Sequence, residues 1–181
     1  MKRKASFIVS LGGIVSALCI IIMFLTGIMP IFVYTLPALA GALMVIIVVE
    51  ISIKWAFVTY ATVSLLSLLI TPNKEAVVLF IMFLGYYPII KSLLERKKSR
   101  AYEWILKVLG FNISIIIAYQ IIIRAFGMTD ALDQFGNFGR YGALFLLVLG
   151  NIVFVIYDIA LTKVISAYIN SFRPKILRKF K

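Results

Sequence analysis

The sequence predicts an all-α integral membrane protein with six transmembrane helices and with both the N-terminus and the C-terminus in the cytoplasm. Its 181 residues are 63% hydrophobic and 14% charged, whereas soluble domains are about 45–50% apolar and about 25% charged. Six apolar runs follow one another, most of them close to the ~20 residues that a helix needs to cross a bilayer. Threading these runs through a membrane leaves only Lys74, Arg124 and Arg140 of the 19 basic residues outside, as the positive-inside rule requires.

The six predicted spans are helices, because an apolar segment in lipid must satisfy its own backbone hydrogen bonds. They comprise residues 7–28, 31–49, 55–70, 76–90, 104–123 and 141–161. Residues 1–170 then form a single membrane domain, and residues 171–181 form a basic cytoplasmic tail. The first run is longer than the ~7–15 apolar residues of a cleaved signal peptide, so we expect it to be the first membrane helix.

Proline and asparagine mark the boundaries of several spans. Met29-Pro30 ends the first span, and Pro72-Asn73 separates the third span from the fourth. A proline inside a helix removes a backbone hydrogen bond and bends the helix. Pro88, three residues after Gly85, therefore predicts a kink within the fourth span.

The net charge of +12 is expected to act on lipid and not on nucleic acid. The basic residues cluster at the ends of the spans, where they meet the anionic headgroups of the cytoplasmic face. The chain has no histidine and one cysteine, Cys19, and its sequence holds no phosphate-binding loop, metal-binding cluster or nucleophile beside a base. We therefore expect a protein of the cell membrane that is not an enzyme, with no catalytic residue, no metal site and no cofactor.

Small residues form a stripe along one face of the first span, at Ser10, Gly13 and Ala17. Residues three and four apart lie on the same helix face, and small residues let two helix backbones approach closely in lipid. Two interpretations are open. The stripe packs against the protein's own helices, or it docks on another membrane protein.

Polar and aromatic residues gather at the predicted outer ends of the spans. Such a mixture of aromatic surface, charge and amide groups can hold a small polar ligand between helix ends. The alternative is an ordinary membrane interface, with tyrosines at headgroup depth. The candidate ligand-binding residues are Tyr34, Asn73, Lys74, Tyr119, Gln120, Arg124 and Arg140, and Glu75 lies among them in the sequence.

Two carboxylates, Glu50 and Asp158, lie in apolar runs near the predicted cytoplasmic ends of their spans. A carboxylate within a span is costly and often functional. Lys54 and Lys163 lie at the same predicted depth, which favours a structural ion-pair cluster. A proton or ion relay is the alternative.

Two segments, Gly13-Ile14-Val15-Ser16-Ala17 in the first span and Leu36-Pro37-Ala38-Leu39-Ala40-Gly41 in the second, carry a resemblance to a known family. With its size and its six spans, the chain resembles the substrate-capture S components of energy-coupling-factor vitamin transporters. The resemblance implies that the first helix contacts a transmembrane coupling subunit and that the vitamin binds toward the outer face.

Two features depart from that family. The connection at Met29-Pro30 is short, where the family has a loop that helps to close the binding site, and Glu50 stands where a glycine-rich bend is expected. Residues 72–96 also resemble a family of small bacterial multi-pass membrane proteins, and that likeness implies no activity.

We therefore expect a membrane-embedded capture subunit that binds a small, vitamin-like metabolite at the outer face and docks through the first helix on a coupling subunit. The alternative is a structural or regulatory membrane protein without a substrate, which acts through the basic residues Arg96, Lys97, Lys98 and Arg100. A third hypothesis, an ion or proton carrier, requires Glu50 or Asp158.

Overall fold

The structure, a computed structural model, describes residues 5–95, 100–126 and 142–173. All regular structure in these ranges is helical. Five of the described helices are long and apolar enough to cross a membrane, and one further apolar helix is shorter. The protein is therefore an all-helical, membrane-embedded multi-pass protein.

The helices follow the order of the predicted spans, with shifted ends and one interruption. The first three are α1 (Ala5–Leu25), α2 (Thr35–Glu50) and α3 (Ile53–Ile70), with a 3-10 turn (Pro30–Phe32) before α2. The fourth span consists of α4 (Lys74–Leu79), a π-helical segment (Phe80–Leu84) and α5 (Tyr87–Leu94). The last two are α6 (Arg100–Phe126) and α7 (Gly142–Ala167), and α7 continues into a second π-helical segment (Tyr168–Phe172).

The chain forms two compact units, Met1–Asp133 and Gln134–Lys181. The first unit contains α1 to α6, and the second contains α7. Within α7, Asn151 Nδ2 donates to the carbonyl oxygen of Leu147 at 2.8 Å, and Thr162 Oγ1 donates to that of Asp158 at 2.9 Å. Each polar side chain thus bonds to a carbonyl one turn earlier, which lowers the cost of placing it in an apolar helix.

The helices α1, α2 and α3 pack against one another in the core of the first unit. The buried residues of α1 are Val15, Cys19 and Met23, which are four residues apart and lie on one face. Cys19 Sγ lies 3.3 Å from the carbonyl oxygen of Ala40 in α2. The backbones can approach this closely because α2 presents a small residue at the crossing.

The connection from α1 to α2 and the connection from α3 to α4 meet at one end of the first unit. This end contains Glu75 and is here called the Glu75 end. A Cβ added at Gly27, just after α1, would lie only 2.7 Å from Pro72 Cγ. The side chain of Asn73 then accepts a hydrogen bond from Ala76 N at 3.0 Å and begins α4. Glycine and an asparagine cap thus allow the two connections to lie side by side. The opposite end, which holds Glu95, is here called the Glu95 end.

The fourth span is interrupted, as its glycine and proline predict, but the position of the break differs from the prediction. The π-helical segment ends at Leu84, and Pro88 lies in the first turn of α5, where a proline leaves no helical hydrogen bond unmade. Pro88 therefore begins a new helix and does not bend a continuous one. Tyr60 Oη, from α3, donates to the carbonyl oxygen of Ile81 at 2.6 Å, which supports the irregular backbone of the π-helical segment.

Candidate functional site

Two side chains from distant parts of the first unit are in contact at the Glu75 end, and a third lies near them. Tyr34 is the N-cap residue of α2, and Glu75 lies in the first turn of α4. Tyr34 Oη donates a hydrogen bond of 2.8 Å to Glu75 Oε1. Tyr119, in α6, lies close enough to interact electrostatically with both of them. We call these three residues the Tyr34 cluster.

Tyr34 is the donor in this hydrogen bond, and Glu75 Oε1 is the acceptor. A tyrosine phenol is neutral near pH 7, because its ordinary pKa is about 10. The contact therefore joins a neutral hydroxyl to a carboxylate oxygen.

Two of the predicted ligand residues serve the turn between α3 and α4. Lys74 Nζ donates to the carbonyl oxygens of Leu68 and Thr71, each at 2.9 Å. These carbonyls lie at the C-terminal end of α3, where a cation is favoured by the helix dipole. Asn73 is the cap of α4. Both side chains thus have structural partners within the turn.

Among the described residues, no cation pairs with the carboxylate of Glu75. Its hydrogen bond comes from the neutral phenol of Tyr34, and it forms no ion pair with any residue that the structure describes. Gln120 and Arg124 are exposed in the last two turns of α6, and Arg140 lies outside the described residues. Of the predicted ligand residues, the structure thus places Tyr34 in contact with Glu75 and Tyr119 near both of them.

The small-residue stripe of α1 is exposed. Ser10, Gly13 and Ala17 lie away from the buried face that contains Val15 and Cys19. A Cβ added at Gly13 would meet no atom within 4 Å. Among the described helices of the first unit, none packs on this stripe.

A network of four charged side chains occupies the Glu95 end. Lys91 Nζ lies 2.7 Å from Glu95 Oε1, and Lys107 Nζ lies 3.2 Å from the same oxygen and 2.6 Å from Glu103 Oε1. The two lysines are buried, with exposed fractions of 0% and 3%. Buried ammonium groups are tolerated when carboxylates pair with them, so this network holds α5 and α6 together at that end.

The network differs from the predicted ion-pair cluster. Lys54 and Lys163 are exposed and form no ion pair within the described ranges, whereas Glu50 and Asp158 are buried and have interactions of their own. Lys54 fails as a partner because it lies off the face of α3 that is buried. The sequence did contain a signal for the observed network, because its lysines and glutamates occur in two pairs four residues apart, the spacing of neighbours on a helix face.

A cavity of about 270 Å³ lies between α5 and α6. Its walls are mostly aromatic and aliphatic, and its polar groups are Lys107 and the pair Tyr86 Oη and Ser114 Oγ, which are 2.6 Å apart. The ring of Phe83 stacks on that of Tyr87, with centroids 4.7 Å apart. Across the described ranges, no three His, Cys, Asp or Glu side chains come together to hold a metal ion.

No protein-family model, no curated protein and no solved structure matches this chain. Its function is therefore inferred from the chemistry and the position of its residues.

Proposed function

We propose that the protein is the substrate-capture subunit of a transporter for small, vitamin-like metabolites in the cell membrane. The chain crosses the membrane six times with both termini in the cytoplasm, so the Glu75 end faces outward and the Glu95 end faces the cytoplasm. The scarcity of basic residues at the Glu75 end supports this orientation. The 16 residues of α2 are about 24 Å long, so the 3-10 turn before α2 completes this crossing of a hydrocarbon core of about 30 Å.

The contact between Tyr34 and Glu75, with Tyr119 near them, carries this proposal. These residues come from distant parts of the sequence, and together they present aromatic surface, a hydroxyl donor and a carboxylate at one helix end. Binding sites for small molecules combine apolar and aromatic surface with a few convergent polar groups in this way. Tyr34 is 56% exposed, so a ligand can reach the Tyr34 cluster from outside.

The exposed stripe of α1 supports docking on a partner, the transmembrane coupling subunit. Lipid exerts no hydrophobic force that drives helices together, so close backbone approach at small residues is a main source of helix association. Gly13 has free space around it, and Ser10 and Ala17 extend the same stripe by one turn on either side. A partner helix with a complementary small face fits this surface.

Two measurements test the proposal. Gentle extraction of the native protein in detergent, followed by mass spectrometry, should recover a coupling subunit with its ATPase subunits. The variant Gly13→Leu should lose that partner, because the larger side chain blocks close approach. The matched control Gly110→Leu also places leucine at a helical glycine with no atom within 4 Å of its Cβ, and it should retain the partner.

The capture function is tested separately by titrating the purified full chain with cationic, anionic, zwitterionic and neutral metabolites while its unfolding temperature is measured. At least one compound should raise that temperature. A chain that binds none of them and copurifies with no coupling subunit would contradict the proposal. It would favour the regulatory alternative, which acts through the basic residues 96–100.

A further inference from the structure

We infer that the ligand captured at the Glu75 end is an organic cation, an amine or a quaternary ammonium compound, held by the carboxylate of Glu75 and the rings of Tyr34 and Tyr119. This inference rests on the proposed function and names the ligand class of the same site.

The charge of Glu75 carries the first step. The adjacent Lys74 is directed to the carbonyl oxygens of Leu68 and Thr71, and within the described ranges no other cation pairs with Glu75. Its hydrogen-bond partner, the phenol of Tyr34, stabilises the carboxylate without neutralising it. The Tyr34 cluster, a carboxylate and two phenols, therefore has a negative formal charge, which attracts a cation and repels an anion.

The two described glutamates at the opposite end of the same unit are arranged differently. At the Glu95 end, Glu95 and Glu103 each have a lysine within 3.2 Å. The chain holds 19 basic residues and only seven acidic ones, so cations are plentiful. Among the described residues, Glu75 thus differs from Glu95 and Glu103 in having a hydrogen bond but no ion pair, and we assign it an external cation as its partner.

The two tyrosines define which cation fits. Aromatic rings attract ammonium groups through their negatively charged faces, and sites for quaternary ammonium compounds use this attraction. Tyr34 uses its hydroxyl to contact Glu75, and much of its remaining surface is exposed. An organic cation can contact ring and carboxylate together, whereas a hydrated metal ion gains little from the rings.

Arg124 is exposed in the last turn of α6, at the same end of the unit. It supports the competing prediction that the ligand is an anion. A ligand with negative charge would depend on Arg124 and gain nothing from Glu75. A ligand with positive charge would depend on Glu75 and be unaffected, or slightly favoured, by removal of Arg124. The variants Glu75→Gln and Arg124→Gln therefore distinguish the two ligand classes.

The experiment uses choline and its neutral isostere 3,3-dimethyl-1-butanol. Choline has a charged nitrogen at the position where the isostere has a neutral carbon. Putrescine serves as a second, primary-amine probe. Calorimetric titration of the full chain in an uncharged maltoside detergent avoids competing lipid headgroups. We expect at least one of the two cations to bind at least ten-fold more tightly than the isostere. Glu75→Gln should weaken that binding at least ten-fold, and Arg124→Gln should not weaken it.

The amide introduced by Glu75→Gln still offers an oxygen acceptor to Tyr34, so this variant should fold, and circular dichroism checks this. Tyr34→Phe keeps the ring and should change affinity for the cation less than three-fold, whereas Tyr34→Leu removes the ring and should weaken binding at least five-fold. Equal binding of the cations and the isostere, or binding of any ligand that survives Glu75→Gln, overturns the inference. An anion that requires Arg124 overturns it while the capture function stands. If no compound of any charge binds, the capture function itself fails.

Discussion

Replacing Gly85 by alanine tests whether close aromatic packing holds the break in the fourth span. A Cβ at this position would lie 2.8 Å from ring atoms of both Phe80 and Tyr60. Each ring must therefore move until the contact reaches at least 3.4 Å, where ordinary van der Waals contacts begin. Phe80 is fully buried, and Tyr60 is tied by its hydroxyl to the carbonyl of Ile81, so neither ring moves freely.

Overpacking of this kind typically costs about 1–3 kcal/mol. We expect Gly85→Ala to lower the free energy of unfolding by about that amount, even though alanine gains about 1 kcal/mol of helix propensity over glycine. Reversible unfolding in mixed micelles with a rising fraction of dodecyl sulfate, followed by circular dichroism, measures the difference.

The matched control for this prediction is Gly110→Ala in α6. A Cβ there meets no atom within 4 Å, so alanine should leave stability unchanged or raise it by up to about 1 kcal/mol. If Gly85→Ala unfolded at the same detergent fraction as Gly110→Ala, the two rings would not constrain position 85, and the reasoning would be refuted.

Three further predictions concern single polar contacts. Lys107→Met should lower the free energy of unfolding by about 2–4 kcal/mol, because Glu103 loses its lysine partner, whereas Glu95 keeps its ion pair with Lys91. The exposed Lys54→Met should stay within about 0.5 kcal/mol in the same assay, and equal losses would contradict this. Tyr60→Phe should cost about 0.5–1.5 kcal/mol, since a backbone carbonyl loses its donor, and no loss by micelle unfolding would argue against that bond. Tyr34→Phe should cost about 0.5–1 kcal/mol in the same assay, since Glu75 Oε1 loses its hydrogen-bond donor. An unchanged free energy of unfolding would contradict this contribution.

The helical membrane architecture could be predicted because it depends on local properties. A long apolar run in lipid satisfies its backbone only as a helix, and the described helices α1, α3 and α6 lie where such runs occur. The presence of a break in the fourth span could also be predicted, from Gly85 and Pro88. Its form could not, because the π-helical segment depends on Tyr60, a residue of another helix.

The candidate site could be predicted only in part. Tyr34 and Tyr119 were selected because they lie near helix ends, but Asn73 and Lys74 satisfied the same criterion and are used within the turn. Tyr34 and Glu75 are 41 residues apart, and no spacing pattern links residues so distant. Their contact depends on how α2 and α4 approach each other.

The sequence by itself determined that the solvent of this protein is lipid and that its spans are helical, because composition and backbone hydrogen bonding decide both. Only the tertiary structure decided which face of α1 is buried and which carboxylates are paired. The reason is that α1 is apolar on nearly every side, so hydrophobicity carries no information about its orientation. In lipid the choice is made by shape and by hydrogen bonds between helices, and these contacts exist only once the helices have packed.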